Sequence, residues 1–122
     1  MARQPQPHPT VTRADVERIV RRDFPADRAL EILAMLNEYG TEDWHREADR
    51  VRLAILKLSA ASVERLRYQL ETAKSDYREV LGPAEYPGYM KRMFRIESLS
   101  SDEQQRIIDG DWKQYQDWFS KP

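Results

Sequence analysis

From Thr12 to Phe119 the chain sets apolar side chains three and four residues apart, and that spacing commits it to amphipathic α-helices that each hide one face. The longest stripe is Val63, Leu66, Leu70, Ala73, Tyr77 and Val80 or Leu81, with Glu64, Arg67, Glu71, Lys74 and Arg78 on the opposite side. No stretch alternates polar and apolar residues, so no sheet is predicted. The expected fold is all-α: a compact antiparallel bundle of five to six helices over residues 12–122. A flexible tail over residues 1–11, carrying Pro5, Pro7 and Pro9, precedes it.

Helix signals punctuate the stripes. Thr12 with Asp15 makes an N-terminal cap ahead of Val16, Ile19 and Val20, and Pro25 closes this first helix after Phe24. Pro25 then suits the first position of a second helix, whose Leu30, Leu33, Leu36 and Tyr39 lead to Gly40 as its C′ residue. Thr41 reads as the next N-cap across a tight turn, with Trp44, Ala48, Val51, Ile55 and Leu58 behind it. Ser62 caps the fourth helix, and Gly82-Pro83 is expected to stop it. Tyr86-Pro87-Gly88-Tyr89 must turn, since Pro87 restricts Tyr86 and Gly88 is permissive. A short helix from about Tyr89 to Ile96 follows, and Ser100 with Glu103 opens a last helix along Ile108, Trp112, Tyr115 and Phe119. Helices three and four are expected at the centre.

At 122 residues the chain can build one core. It has no cysteine, which removes disulfides, thiolate metal sites and cysteine nucleophiles. Twenty basic and 21 acidic residues leave a formal charge of −1, so no general pull toward nucleic acid or anionic lipid is expected. The N-terminal residues lack the apolar run of a signal peptide and no window spans a membrane, which makes the cytoplasm the expected setting.

Chemistry-bearing constellations are sparse. His45 lies among Glu42, Asp43, Glu47 and Asp49, but on a helix only Asp49 would share its face, and the other histidine, His8, sits in the predicted tail. No metal or cofactor site is expected. Asp109 and Asp111 flank Gly110 as a small acidic pair without a visible pocket. The four glycines are dispersed, so no loop can cradle a phosphate, and Ser98, Ser100 and Ser101 suit capping better than catalysis.

Seven of the twelve aromatics (Tyr86, Tyr89, Phe94, Trp112, Tyr115, Trp118 and Phe119) fall in the last third, close to Met90, Arg92 and Met93. Such a mixture suits either a core or an interaction surface. Tyr86, Tyr89, Arg92 and Trp118 are the candidate partner surface, and a non-catalytic protein–protein interaction or regulatory module is the expected function. Self-association stays open. The alternative is an enzyme or ligand-binding protein with a pocket between helices, using Tyr77, Glu85, Tyr86 and Arg92. Base stacking beside Lys91, Arg92, Arg95 and Lys113 is disfavoured, and Glu42-Asp43 would repel duplex phosphates from a recognition helix there.

Four stretches, Arg50-Val-Arg-Leu-Ala-Ile-Leu-Lys-Leu-Ser59, Ala73-Lys-Ser-Asp-Tyr-Arg-Glu-Val-Leu81, Glu85-Tyr-Pro-Gly-Tyr-Met90 and Asp111-Trp-Lys-Gln-Tyr-Gln-Asp-Trp118, resemble those of a family of short bacterial all-α proteins. The resemblance spans about residues 12–119. It implies a bacterial, intracellular setting and carries no activity or site residue.

Overall fold

A computed structural model describes residues 8–122. Among them lie seven α-helices and no strand: α1 (Arg13–Asp23), α2 (Ala29–Leu36), α3 (Ala48–Ser59), α4 (Val63–Ser75), α5 (Arg78–Glu85), α6 (Pro87–Arg92) and α7 (Ser101–Ser120). Single 3-10 turns occupy Ala26–Arg28 and Ile96–Ser98. The all-α reading holds, with seven helices where the stripes predict five to six.

The additional helix arises at Asp76. Its extended backbone (φ −156°, ψ 106°) ends α4, and its carboxylate accepts the Arg78 amide at 3.1 Å to start α5. Tyr77 and Val80 keep the stripe in phase across this break, so periodicity alone does not reveal it. Gly82-Pro83 does not stop the helix either. Pro83 forfeits one backbone donor, yet the Tyr86 amide still reaches Gly82 O at 2.9 Å, and α5 runs to Glu85. Gly82 lies against the Met90 side chain, which would have to move aside for a Cβ there.

The core is centred on α3, which packs against α1, α4 and α5. Val51, Leu53, Ala54, Ile55 and Leu56 are all fully buried, as the apolar second half of that helix predicts. Helix α4 buries Leu66, Leu70 and Ala73 and packs against α2, α3 and α5, so the centre is α3 with α4 and α5 on it. The Thr12–Asp15 capping box of α1 is present in both directions. Pro9 is buried and Val11 packs against the core, so the packed domain begins before Thr12; residues 1–7 of the predicted tail lie outside the described residues.

The tight turn between the second and third helices is replaced by a long connection, residues 37–47. His45 Nδ1 accepts the amides of Gly40, Thr41 and Glu42 at 2.9, 3.2 and 3.2 Å, which gathers the loop around the imidazole, and the Thr41 hydroxyl donates back to Glu38 O instead of capping a helix. The imidazole stacks on Tyr39 with centroids 4.5 Å apart, and Tyr39 Oη donates to Arg46 O at 2.8 Å. Gly40 adopts φ +110° beneath Arg52, whose Nη2 donates to Tyr39 O at 2.7 Å. Leu30, assigned to the buried stripe, is 81% exposed. The 3-10 turn at Ala26–Arg28 sets the phase of α2 so that Ala29, Ile32, Leu33 and Leu36 face inward instead.

Candidate functional site

Helix α7 meets the rest of the fold through polar contacts at two levels. Near its C-terminus, Arg18 Nη2 donates to Phe119 O at 2.8 Å, and Arg22 Nη1 donates to Trp118 O at 2.6 Å and Lys121 O at 3.1 Å. Cations are well matched to the partial negative charge of a helix C-terminus. The same two guanidinium groups sit over the Phe119 and Trp118 rings, 4.8 and 5.2 Å from the centroids.

Midway along α7, three successive inward positions carry polar groups. Asp111 Oδ1 and Oδ2 accept the amides of Gly88 and Tyr89 at 2.7 and 2.9 Å, so a carboxylate from α7 caps the N-terminus of α6. Neither Tyr86 nor Pro87 supplies a cap there. Gly88 has no substitute in this arrangement, since a Cβ would lie 2.7 Å from Asp111 Oδ1. Gln114 Nε2 donates to Ala84 O at 3.1 Å and so satisfies a carbonyl at the end of α5. Tyr115 is 1% exposed, and its Oη has no hydrogen-bond partner in the structure. Burial pushes its hydroxyl well above the usual phenol range.

Opposite α7 stands a buried ion pair. Arg50 Nε and Nη2 grip Glu85 at 2.7 and 2.5 Å, and Arg50 Nη1 reaches Glu47 at 2.7 Å. The Glu85 carboxylate raises the Arg50 pKa further, which keeps the guanidinium charged inside the fold. Lys57, two turns further along the same face of α3, is pushed below the usual lysine range by burial, with Asp111 opposing that shift. Pro9, Glu85, Tyr86, Ile108, Asp111, Trp112 and Tyr115 line a cavity of about 10 Å³. Such a space holds one group the size of a water molecule.

A second feature lies outside this region, where α6 gives way to the Ile96–Ser98 turn. Phe94 is 97% exposed, Met93 48% and Met90 38%. Lys91, Arg92, Arg95 and Arg106 lie along the same segment or the facing side of α7, and among the described residues none of them forms an ion pair. Arg92 and Arg106 line an open groove with Leu99, Glu103, Ile107 and Gly110.

The four residues of the predicted partner surface do not come together. Tyr86 and Tyr89 pair edge to face at 6.2 Å beside α6, and Arg92 lies on the exposed side of that helix. Trp118 is two turns further along α7, edge-on to Tyr115 at 5.4 Å and beneath Arg22. Of the pocket residues considered, Glu85 and Tyr86 share the small cavity, whereas Tyr77 packs on the core and Arg92 faces the outer groove. His45 and Asp49 lose their common helical face because α3 begins at Ala48. Asp109 points away from Asp111 into a hydrogen bond from Gln105 at 2.8 Å.

The sequence marks Asp111 only as half of an acidic pair with Asp109, and Tyr115 and Phe94 only as members of the aromatic group. The signal for Asp111 was present: it falls three residues after Ile108 and four before Tyr115, a carboxylate on the apolar face. Among the described residues no helix is long and apolar enough to cross a membrane, and no group of His, Asp and Glu side chains could hold a metal ion. No family model, curated protein or solved structure matches the chain.

Proposed function

We propose that this chain is a non-catalytic interaction module of the bacterial cytoplasm that binds an acidic, amphipathic segment of a protein partner at the α6 corner. The observation that carries the reading is a fully exposed Phe94 flanked by Met90 and Met93 within a group of four cations that have no acidic partner among the described residues. Large apolar side chains at solvent favour burial by a partner, and unpaired Lys and Arg around them select for acidic groups in it. Arg92 is the one residue of the original candidate surface that belongs to this corner. Tyr86 and Tyr89 are half-buried and pair with each other.

Nucleic acid is the rival occupant of any basic, aromatic surface. Base stacking calls for aromatic platforms, whereas Phe94 stands beside two methionines, which suit the apolar side chains of a protein segment, so protein is favoured. Affinity capture separates the two. A protein partner should be retained by wild type and by Tyr68→Asp, a control at another exposed ring, and lost at least tenfold with Phe94→Asp. Equal retention by Phe94→Asp, or capture abolished by nuclease, refutes the reading.

A further inference from the structure

The long loop before α3 carries a second exposed aromatic patch, and its charge is opposite to that of the α6 corner. Trp44 is 59% exposed, and Glu42 and Asp43 beside it are exposed and form no ion pair among the described residues. Residues 37–47 hold four acids, Glu38, Glu42, Asp43 and Glu47, against one arginine, Arg46. Residues 88–95 hold Lys91, Arg92 and Arg95 and no acid. The cations of α4 beside the loop are already committed, since Arg67 and Lys74 both pair with Glu38 and Glu71.

Main-chain contacts keep the loop in one shape. The Glu42 amide is held by His45 Nδ1 while its carboxylate stays at the surface. The Trp44 indole lies edge-on to His45 with centroids 5.4 Å apart, and its Nε1 donates to Lys74 O at 3.5 Å. A segment fixed before it docks loses little conformational freedom on binding.

Each patch supplies what the other lacks. Met90 and Met93 are adaptable side chains that make favourable contacts with aromatic rings, and the guanidinium groups of Arg92 and Arg95 suit the face of an indole. Glu42 and Asp43 bring the carboxylates that the four cations of the corner lack, and Trp with Arg is a combination enriched where binding energy concentrates. Within one chain the patches do not meet. Phe94 is almost wholly exposed, and no ion pair among the described residues joins Glu42 or Asp43 to Lys91, Arg92, Arg95 or Arg106.

We propose that the acidic, amphipathic segment taken by the α6 corner is Glu42-Asp43-Trp44 of a second copy of this chain. The inference rests on the corner being a docking surface and names its partner. Because unlike patches pair, a single contact leaves one loop and one corner free, so association continues until a ring closes.

Sedimentation velocity of the full chain, over a concentration series up to about 1 mM, tests it. The average mass of wild type should rise with concentration. The rise should shrink between about 0.1 and about 1 M sodium chloride, where the Debye length falls from roughly 10 to roughly 3 Å. Phe94→Asp, and the double change Glu42→Lys with Asp43→Lys, should each give a monomer with the circular dichroism spectrum of wild type. Mixed together they should form a complex of one chain each, since the first retains an intact loop and the second an intact corner. A wild type that stays monomeric, association that strengthens with salt, or a mixture that stays monomeric overturns the proposal. A loop variant that associates as wild type does also overturns it. In either a monomeric wild type or that last case, a separate protein captured by wild type and lost with Phe94→Asp would leave the reading of the corner standing and remove only this partner.

Discussion

Replacing Asp111 should detach α6 from α7, and the size of the effect can be worked from the contacts. The carboxylate accepts two amides at 2.7 and 2.9 Å in a site that is 6% exposed. Hydrogen bonds to a buried charge contribute about 1.5–3 kcal/mol each, and deleting the side chain also removes the desolvation of that charge, which returns about half. Asp111→Ala should therefore destabilise by about 2–3 kcal/mol and lower Tm by about 10 °C for a chain of this size. Asp111→Asn should be little better, because only one of its two polar atoms accepts a hydrogen bond while the other faces an amide donor. Gly88 supplies an internal control. In wild type, Gly88→Ala pushes a methyl against Asp111 Oδ1; with Ala at 111 that clash is gone and alanine suits the helix better than glycine. Urea denaturation followed by circular dichroism should thus give a coupling of at least about 1 kcal/mol in the double-mutant cycle. Additive effects, or an Asp111→Ala penalty below about 0.5 kcal/mol, would refute the role of Asp111 as the cap of α6.

Three further outcomes are expected. Glu85→Gln leaves Arg50 charged and half-partnered in the interior and should lower stability by about 3 kcal/mol in the same denaturation assay. Ala61→Gly, at a residue held in the left-handed region with φ +63°, should stabilise by about 1 kcal/mol and raise Tm by several degrees. His45→Phe preserves the stack on Tyr39 but strips three amides of their acceptor; hydrogen exchange at Gly40, Thr41 and Glu42 should accelerate while global stability falls by only about 1 kcal/mol, because these amides are near solvent.

What could be read from the sequence was whatever is local. Thr12 and Ser100 cap their helices where the signals lie, and the stripe of α3 is the core, because a cap or a stripe needs only neighbours within a turn. Asp76 breaks α4 with a side chain whose preference for its own neighbouring amide competes with the helix, and an unbroken stripe conceals that competition. The loop before α3 escaped because Thr41 has the features of an N-cap, whereas its hydroxyl turns back to Glu38 O and His45 gathers the amides of residues 40–42. The sites depend on pairings over longer distances: Asp111 with Gly88, Arg50 with Glu85, and Tyr115 with Pro9 join segments between 23 and more than 100 residues apart. Spacing along the chain cannot reveal such pairings, although charged residues on otherwise apolar faces do mark where to look.

The grip of Arg18 and Arg22 on the carbonyls of residues 118–121 links stretches about a hundred residues apart. Closing that clasp means closing a loop of roughly a hundred residues, an entropic cost that contacts between neighbouring helices do not carry. The apolar interior around α3 can assemble without it, so docking of α7 is a slow, non-local step.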